Sequence, residues 1–215
     1  MYYNSTKREM NIISISREFG SGGRELGKRL ADWMEYDYYD SEIIAAVARD
    51  SGMDENYVEN ALSNHGWKNQ ALTFRGTLRS AASMQSAQVV LLLEQKKVIE
   101  RIAALGKDCV IVGRNADVIL RAYRPLNLFV CAAREAKLKR CMERASAEER
   151  LTEKELLRRM KQIDSVRAQT RELLAGPPWG QRDAYHLSVN TTDWEIKELT
   201  PAVAAFAARW FGRKQ

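Results

Sequence analysis

Three groups of residues have the types and spacing to handle phosphate. Gly20, Ser21, Gly22 and Gly23 form a glycine-rich run in which backbone N–H groups can converge and the start of a following helix adds its positive end. Arg17 and Arg24 flank this run, and Glu25 follows it. Gly113, Arg114, Asn115, Ala116 and Asp117 close an apolar stretch farther along. Asp164 stands three residues before Arg167, in a basic region that also holds Arg158, Arg159, Lys161 and Arg171. Guanidinium groups clamp phosphate oxygens bidentately, and phosphoryl transfer asks a protein mainly for positioning and for cations around those oxygens.

The glycine run departs from the phosphate-loop pattern G-x-x-x-x-G-K-S/T. With Gly20, Ser21 and Gly22 laid on its last glycines, Arg17 takes the place of the first glycine and Gly23 that of the lysine. Arg24 and Glu25 then occupy the positions that offer a hydroxyl to magnesium. The same glycines would also serve a βα connection that needs only tight turning and close packing, so the loop alone leaves both readings open. Other groups carry a plain reading as well. A helix bearing several arginines often has just a solvated face, and Asp164 with Arg167 fits a surface pair worth about 0.3 kcal/mol. Asp40 suits a helix cap as well as a substrate-side carboxylate. His186, in a strand, reads as core packing, and Trp179 between Pro178 and Gly180 reads as the anchor of a turn.

The elements that must position these residues follow from the apolar pattern. Ile12, Ile13 and Ile15 precede the glycines as a strand buried on both faces, and Leu26 and Leu30 recur behind them at helical spacing. Glu35 to Asp40 is a short aromatic strand or extended turn. Helices are expected over residues 41–51 and 54–62 and from about 78 to 105, the last closed by Gly106. Residues 108–112 and 126–131 are further buried strands, and a basic helix spans Arg134 to Arg144. Thr152 with Glu155 forms a capping box for a helix ending by Gly176. Residues 185–190 supply the last strand, and Thr192 with Glu195 caps a final helix whose apolar face includes Ile196, Leu199, Val203 and Phe206. Buried strands separated by helices imply a parallel sheet covered on both faces.

Composition narrows the class. At 215 residues and 24.6 kDa, with 45% hydrophobic and 29% charged residues, the chain reads as globular with a sizeable core. No apolar run approaches the roughly 18 residues that span a bilayer, and residues 1–10 lack a signal-like hydrophobic core, so a cytoplasmic protein is expected. Cys109, Cys131 and Cys141 form no C-x-x-C pair and are expected as reduced, mostly buried thiols. The net charge of +6 favours anionic partners. No helix-turn-helix, RNA-binding sheet motif or zinc pattern points to nucleic acid.

The order of ISREFGSGGRELGKRLA, YYDSEII, CVIVGRNADVIL, LNLFVCA, IDSVRAQTREL and PPWGQRDAYHLSVNTT resembles the cytidylate kinase-like proteins of the phosphate-loop nucleoside monophosphate kinase group. The resemblance implies a three-layer α/β fold of the phosphate-loop NTPase type with a five-stranded parallel sheet. Within a single domain, 1–215, it implies a loop unit at 11–36, a helical acceptor-binding lobe at 37–106 and a helical lid at 146–182. It further implies ATP and Mg2+ as cofactors, small-molecule nucleotides as partners, and phosphoryl transfer to a nucleoside monophosphate resembling CMP. Gly20, Ser21, Gly22, Gly23, Arg24 and Glu25 would then form the cofactor loop. Arg114 falls on the arginine of the family's Gly-Arg-Asp motif, which contacts the acceptor, with Asn115 in place of the aspartate. Asp40, Asp164 and Arg167 would complete the substrate side. Arg17 or Arg24 would replace the missing lysine, and Arg158, Arg159, Lys161, Arg167 and Arg171 would be the lid-side cations. Met160 and Ile163 stand where cytidylate kinases tend to carry arginines. The alternative is a nucleotide-binding regulatory protein with little turnover.

Overall fold

The apolar runs form five strands: β1 (Ile12–Arg17), β2 (Asp37–Tyr39), β3 (Cys109–Val112), β4 (Leu126–Cys131) and β5 (Leu187–Asn190). They lie in the order β2-β3-β1-β4-β5 in the computed structural model, which describes residues 10–40, 92–145 and 151–213. Every pairing is parallel, with Ile13 opposite both Val110 and Leu126. The helices are α1 (Gly23–Met34), α2 (described over 92–104), α3 (Ala116–Ile119), α4 (Arg134–Arg144), α5 (Glu153–Leu173) and α6 (Ile196–Gly212). The helices expected at 41–51 and 54–62 lie outside the described residues, as do most of the expected acceptor lobe and the start of the helix expected from 78.

Two apolar cores make the fold three-layered. Ile13, Ile15, Val110, Val112, Leu128 and Val130 pack against α1 and α6 on one face. Ile12, Cys109 and Ile111 pack against Val98, Ile99 and Ile102 of α2, with Ala116 and Leu120, on the other. Burial on both faces explains why these strands read as continuous apolar runs. Gly27 lets α1 approach the sheet, because a Cβ there would lie 2.5 Å from Val112 Cγ2.

Helix ends partly follow the sequence. Thr152 and Glu155 make both halves of the capping box at α5. Thr192 does not cap α6, which starts after Glu195. Its hydroxyl instead accepts from the Ala133 N–H at 2.9 Å and pairs with Asn190 Oδ1, tying the start of α4 to the end of β5. The buried face of α6 is Ile196, Thr200, Val203, Ala207 and Phe211, whereas Phe206 is exposed. All three cysteines are free. No helix of the described residues is long and apolar enough to cross a membrane.

Candidate functional site

Because all five strands run parallel, the residues after β1, β2 and β3 gather along one edge of the sheet, where open α/β folds bind ligands. After β1 the chain turns through Gly20 (φ +75) and Gly22 (φ +80), left-handed conformations that glycine adopts without strain, and enters α1 at Gly23. The turn is held from several sides. Ser21 Oγ donates to the Glu18 carbonyl at 2.8 Å, and Thr191 Oγ1 donates to the Ser21 carbonyl at 2.7 Å. Arg140 bridges the carbonyls of Gly20 and Thr191 at 2.9 and 3.1 Å. Lys137 Nζ reaches Glu18 Oε2 at 2.8 Å, and Phe19 packs beside Leu138, Leu156 and Met160.

Two of the departures from the phosphate-loop pattern, Arg17 and Gly23, are one structural event. A Cβ on Gly23 would lie 2.6 Å from Arg17 Cβ and 3.1 Å from both Arg17 Cγ and Val130 Cβ. The side chain at 17 therefore fills the space in which a residue at 23 would start. The Arg17 guanidinium extends over Gly113, where a Cβ would come within 1.6 Å of its Nη1. Its Nη2 stands 4.0 Å from Asp40, just beyond β2. Burial lowers its pKa against the attraction of Asp40.

The segment after β3 is strained. Gly113, Arg114 and Asn115 have φ of +77, +59 and +52, a left-handed run that includes two side-chain-bearing residues. Non-glycine residues keep such conformations only where surrounding structure enforces them, commonly at functional sites. Here Gly113 N donates to Ile15 O, and Gln95 Nε2 donates to the Arg114 carbonyl, both at 2.8 Å. Burial pushes the Arg114 guanidinium down to about 10, with Arg17 and Arg24 adding like-charge repulsion against Asp40.

From α5, Arg167 and Asp164 lie over the loop. Arg167 Nη1 donates to Asp164 Oδ1 at 2.8 Å and to the Arg17 carbonyl at 2.9 Å, and the Phe19 N–H donates to the same Asp164 oxygen at 2.9 Å. This is no surface pair. Burial pushes Arg167 down to about 9 with repulsion from Arg17 behind it, and burial raises Asp164 against the pull of Arg167. Arg24 Nε sits 2.7 Å from Asp40 Oδ2. Four guanidiniums, of Arg17, Arg24, Arg114 and Arg167, thus face two carboxylates, Asp40 and Asp164. Crowding like charges with incomplete neutralisation is costly, and an anion with several oxygens would offset that cost.

Other expected site residues do not join this group. Arg158 lies nine residues before Arg167, two and a half turns at about 3.6 residues per turn, and so points to the opposite side of α5; it and Lys161 are exposed. Arg159 is partly buried on the side toward α4, within electrostatic range of Cys141. Arg171 is fully buried, with Nη2 2.7 Å from Asp117 Oδ2 and Nε bonded to the Pro177 carbonyl at 2.5 Å. It braces the end of α5 against α3 and does not face solvent as a lid cation. Glu25 is engaged by Arg29 at 2.8 Å and by Arg144, and so turns away from the loop. Asn115 begins α3 without a side-chain cap bond. Among the described residues, no group of three His, Cys, Asp or Glu side chains could hold a metal ion.

The family profile described as the cytidylate kinase-like family matches residues 12–193. The chain belongs to the cytidylate kinase-like family. Comparison with curated proteins gave no match. Among solved structures, an uncharacterized protein from Eubacterium ventriosum is similar at a TM-score of 0.67 and 23% identity, over 93% of this chain and 99% of that one. TT1252 from Thermus thermophilus is similar at 0.55 and 19%, over 94% and 98%. Shikimate kinase from Bacteroides thetaiotaomicron is similar at 0.53 and 14%, over 93% and 99%. The all-parallel sheet and these likenesses establish a phosphate-loop kinase fold, and family membership supports a phosphotransferase in general.

Within this kinase-like fold, several site residues escaped the sequence reading. Arg140 and Lys137 belong to the basic helix Arg134–Arg144, and neither they nor Thr191 carry a motif that marks them as holding the loop. Gln95 carried no motif. Asp117 was visible in the Gly-Arg-Asn-Ala-Asp segment, but its partner Arg171 is distant in sequence. His186 does not pack in the core: it is exposed, its Nδ1 accepts the Asn127 N–H at 2.9 Å, and its ring stacks on Trp210 at 4.1 Å.

Proposed function

We propose that the chain transfers the γ-phosphoryl group of ATP to a nucleoside monophosphate, with a CMP-like pyrimidine acceptor favoured by family. The observation that carries this reading is the convergence of Arg17, Arg24, Arg114 and Arg167 at the carboxyl edge of the sheet, beside the glycine turn. In the reaction, an acceptor phosphate oxygen attacks the γ-phosphorus as the bond to the bridging oxygen of the leaving ADP breaks. Charge spreads over equatorial oxygens, and a protein stabilises them with fixed cations.

In this reading Gly20, Ser21, Gly22 and Gly23 present backbone N–H groups to the donor phosphates. Arg17 replaces the lysine in charge and reaches toward the acceptor side, Arg114 holds the acceptor phosphate, and Arg167 bridges the two from the lid. Asp40 orients Arg24 and Arg17, and Asp164 orients Arg167. Family membership implies magnesium use in general. The described residues offer it a poor donor set: Ser21 is fully buried with its hydroxyl turned to the Glu18 carbonyl, both Glu25 oxygens are bonded to arginines, and Asp40 faces two guanidiniums.

A second reading, a nucleotide-binding regulator without turnover, draws on Gly23, which leaves the loop itself without a side-chain cation. 31P NMR of the protein with ATP, magnesium and each nucleoside monophosphate in turn separates the two. Formation of ADP and a second nucleoside diphosphate supports transfer. Binding without product supports the regulator.

A further inference from the structure

We propose that the Arg24–Asp40 pair takes the place of a protein-held magnesium ion at the donor phosphates, so that this chain binds a nucleoside triphosphate without the metal. The inference rests on the donor-site reading above and adds to it which cation the site uses. In a loop ending in lysine and serine or threonine, the hydroxyl is a magnesium ligand and the metal carries charge to the phosphates. Here the corresponding residue is Arg24, the second residue of α1, directly behind the glycine turn.

Three observations support the exchange. Arg24 Nε is bonded to Asp40 Oδ2 at 2.7 Å, and Asp40 is 5% exposed, so the guanidinium is anchored from below by a buried carboxylate. The Arg24 side chain is itself 68% exposed, leaving it accessible to a ligand arriving at the loop. A divalent ion at Asp40 would have to displace this bond and sit against the Arg17 guanidinium, 4.0 Å from the other Asp40 oxygen. Like charges at that range in a partly buried setting oppose binding.

The residue types fit the substitution. Magnesium dehydrates reluctantly and requires near-octahedral oxygen ligands, whereas a guanidinium is always present, needs no ligand set and matches phosphate oxygens with two parallel donors. Arg17 and Arg24 together bring two positive charges to the loop, with Arg17 reaching on toward Arg114 at the acceptor side and Arg167 between the two.

The test is calorimetric titration of the full chain with ATP, in magnesium and separately in EDTA, for the wild type, R24A and R24S. The wild-type dissociation constant is expected to change less than about threefold between buffers, while R24A weakens binding in EDTA by about tenfold or more, as loss of a charge-assisted contact requires. R24S, which restores a hydroxyl, is expected to bind ATP better with magnesium than without it. Wild-type binding that requires magnesium would overturn this inference while leaving the donor site standing. Failure to bind in either buffer would remove both. Metal-independent binding without product in the NMR experiment would uphold the inference and overturn phosphoryl transfer.

Discussion

Gly23→Ala tests the coupling between the glycine turn and Arg17. The added methyl carbon would lie 2.6 Å from Arg17 Cβ, about 1 Å inside normal carbon–carbon contact. Rotation about χ1 of Arg17 moves its Cγ but not its Cβ, and the Arg17 backbone is fixed by its register with Val130 in β4. The overlap must therefore displace α1 or β1. Overpacking of this kind costs about 1–3 kcal/mol, and alanine at the first residue of α1 returns at most about 0.5–1 kcal/mol over glycine, which leaves a net loss of up to about 2.5 kcal/mol. Arg17→Gly removes the obstructing carbon, whereas Arg17→Ala keeps it. In urea unfolding, G23A in the R17G background should be neutral or stabilising, a coupling of about 1–3 kcal/mol, and its cost should persist in the R17A background. Equal relief by R17A and R17G would show that the Arg17 Cβ is not what excludes a side chain at 23.

Asp117→Asn leaves Arg171 buried without its counter-ion and should cost about 3–5 kcal/mol, whereas an apolar replacement of both residues should come close to neutral; equilibrium unfolding distinguishes the two. Asp164→Ala removes the acceptor of the Phe19 N–H, so hydrogen exchange at that amide should speed up about tenfold or more; unchanged protection would mean that the contact does not hold the loop. Burial pushes Glu25 up, but bonds from Arg29 and Arg144 prevail and hold it below its ordinary 4.5. A depressed carboxyl value means stability that is present above the unfolded value and lost as pH falls through the folded one. Glu25→Gln should therefore cost about 0.5 kcal/mol at pH 7 and progressively less as pH falls below 4.5, read from unfolding midpoints across that range.

The central strands were legible because burial on both faces leaves a largely apolar signature, as in Cys109 to Val112 and in Ile12 to Ile15, where only the buried Ser14 interrupts it. The α5 capping box was legible because its two halves are three residues apart. The same spacing at Thr192 and Glu195 misled, since the Thr192 hydroxyl had a better use in joining Asn190 to the amide of Ala133. Phe206 shared the spacing expected of the α6 core face, but the buried stripe runs instead through Thr200, Val203, Ala207 and Phe211. Within the site, Arg114 and Arg167 were readable as motif residues. The exclusion of any side chain at 23 by Arg17 was not, because it depends on a Cβ distance between a strand and a helix. Arg171 carried the charge of a lid residue, and only the fold reveals Asp117 beneath it.

In the proposed reaction four convergent guanidiniums handle the phosphates, and the outward basic residues of α5 do not. The most direct test is a coupled assay of ADP release with ATP and the best nucleoside monophosphate, comparing wild type, R17A, R114A and R167A with R158A. The account predicts loss of about 100-fold or more in turnover for each of the first three variants, as for removal of a transition-state charge contact, and wild-type rates for R158A. Wild-type turnover in R17A and R167A, or a loss in R158A equal to theirs, would contradict it.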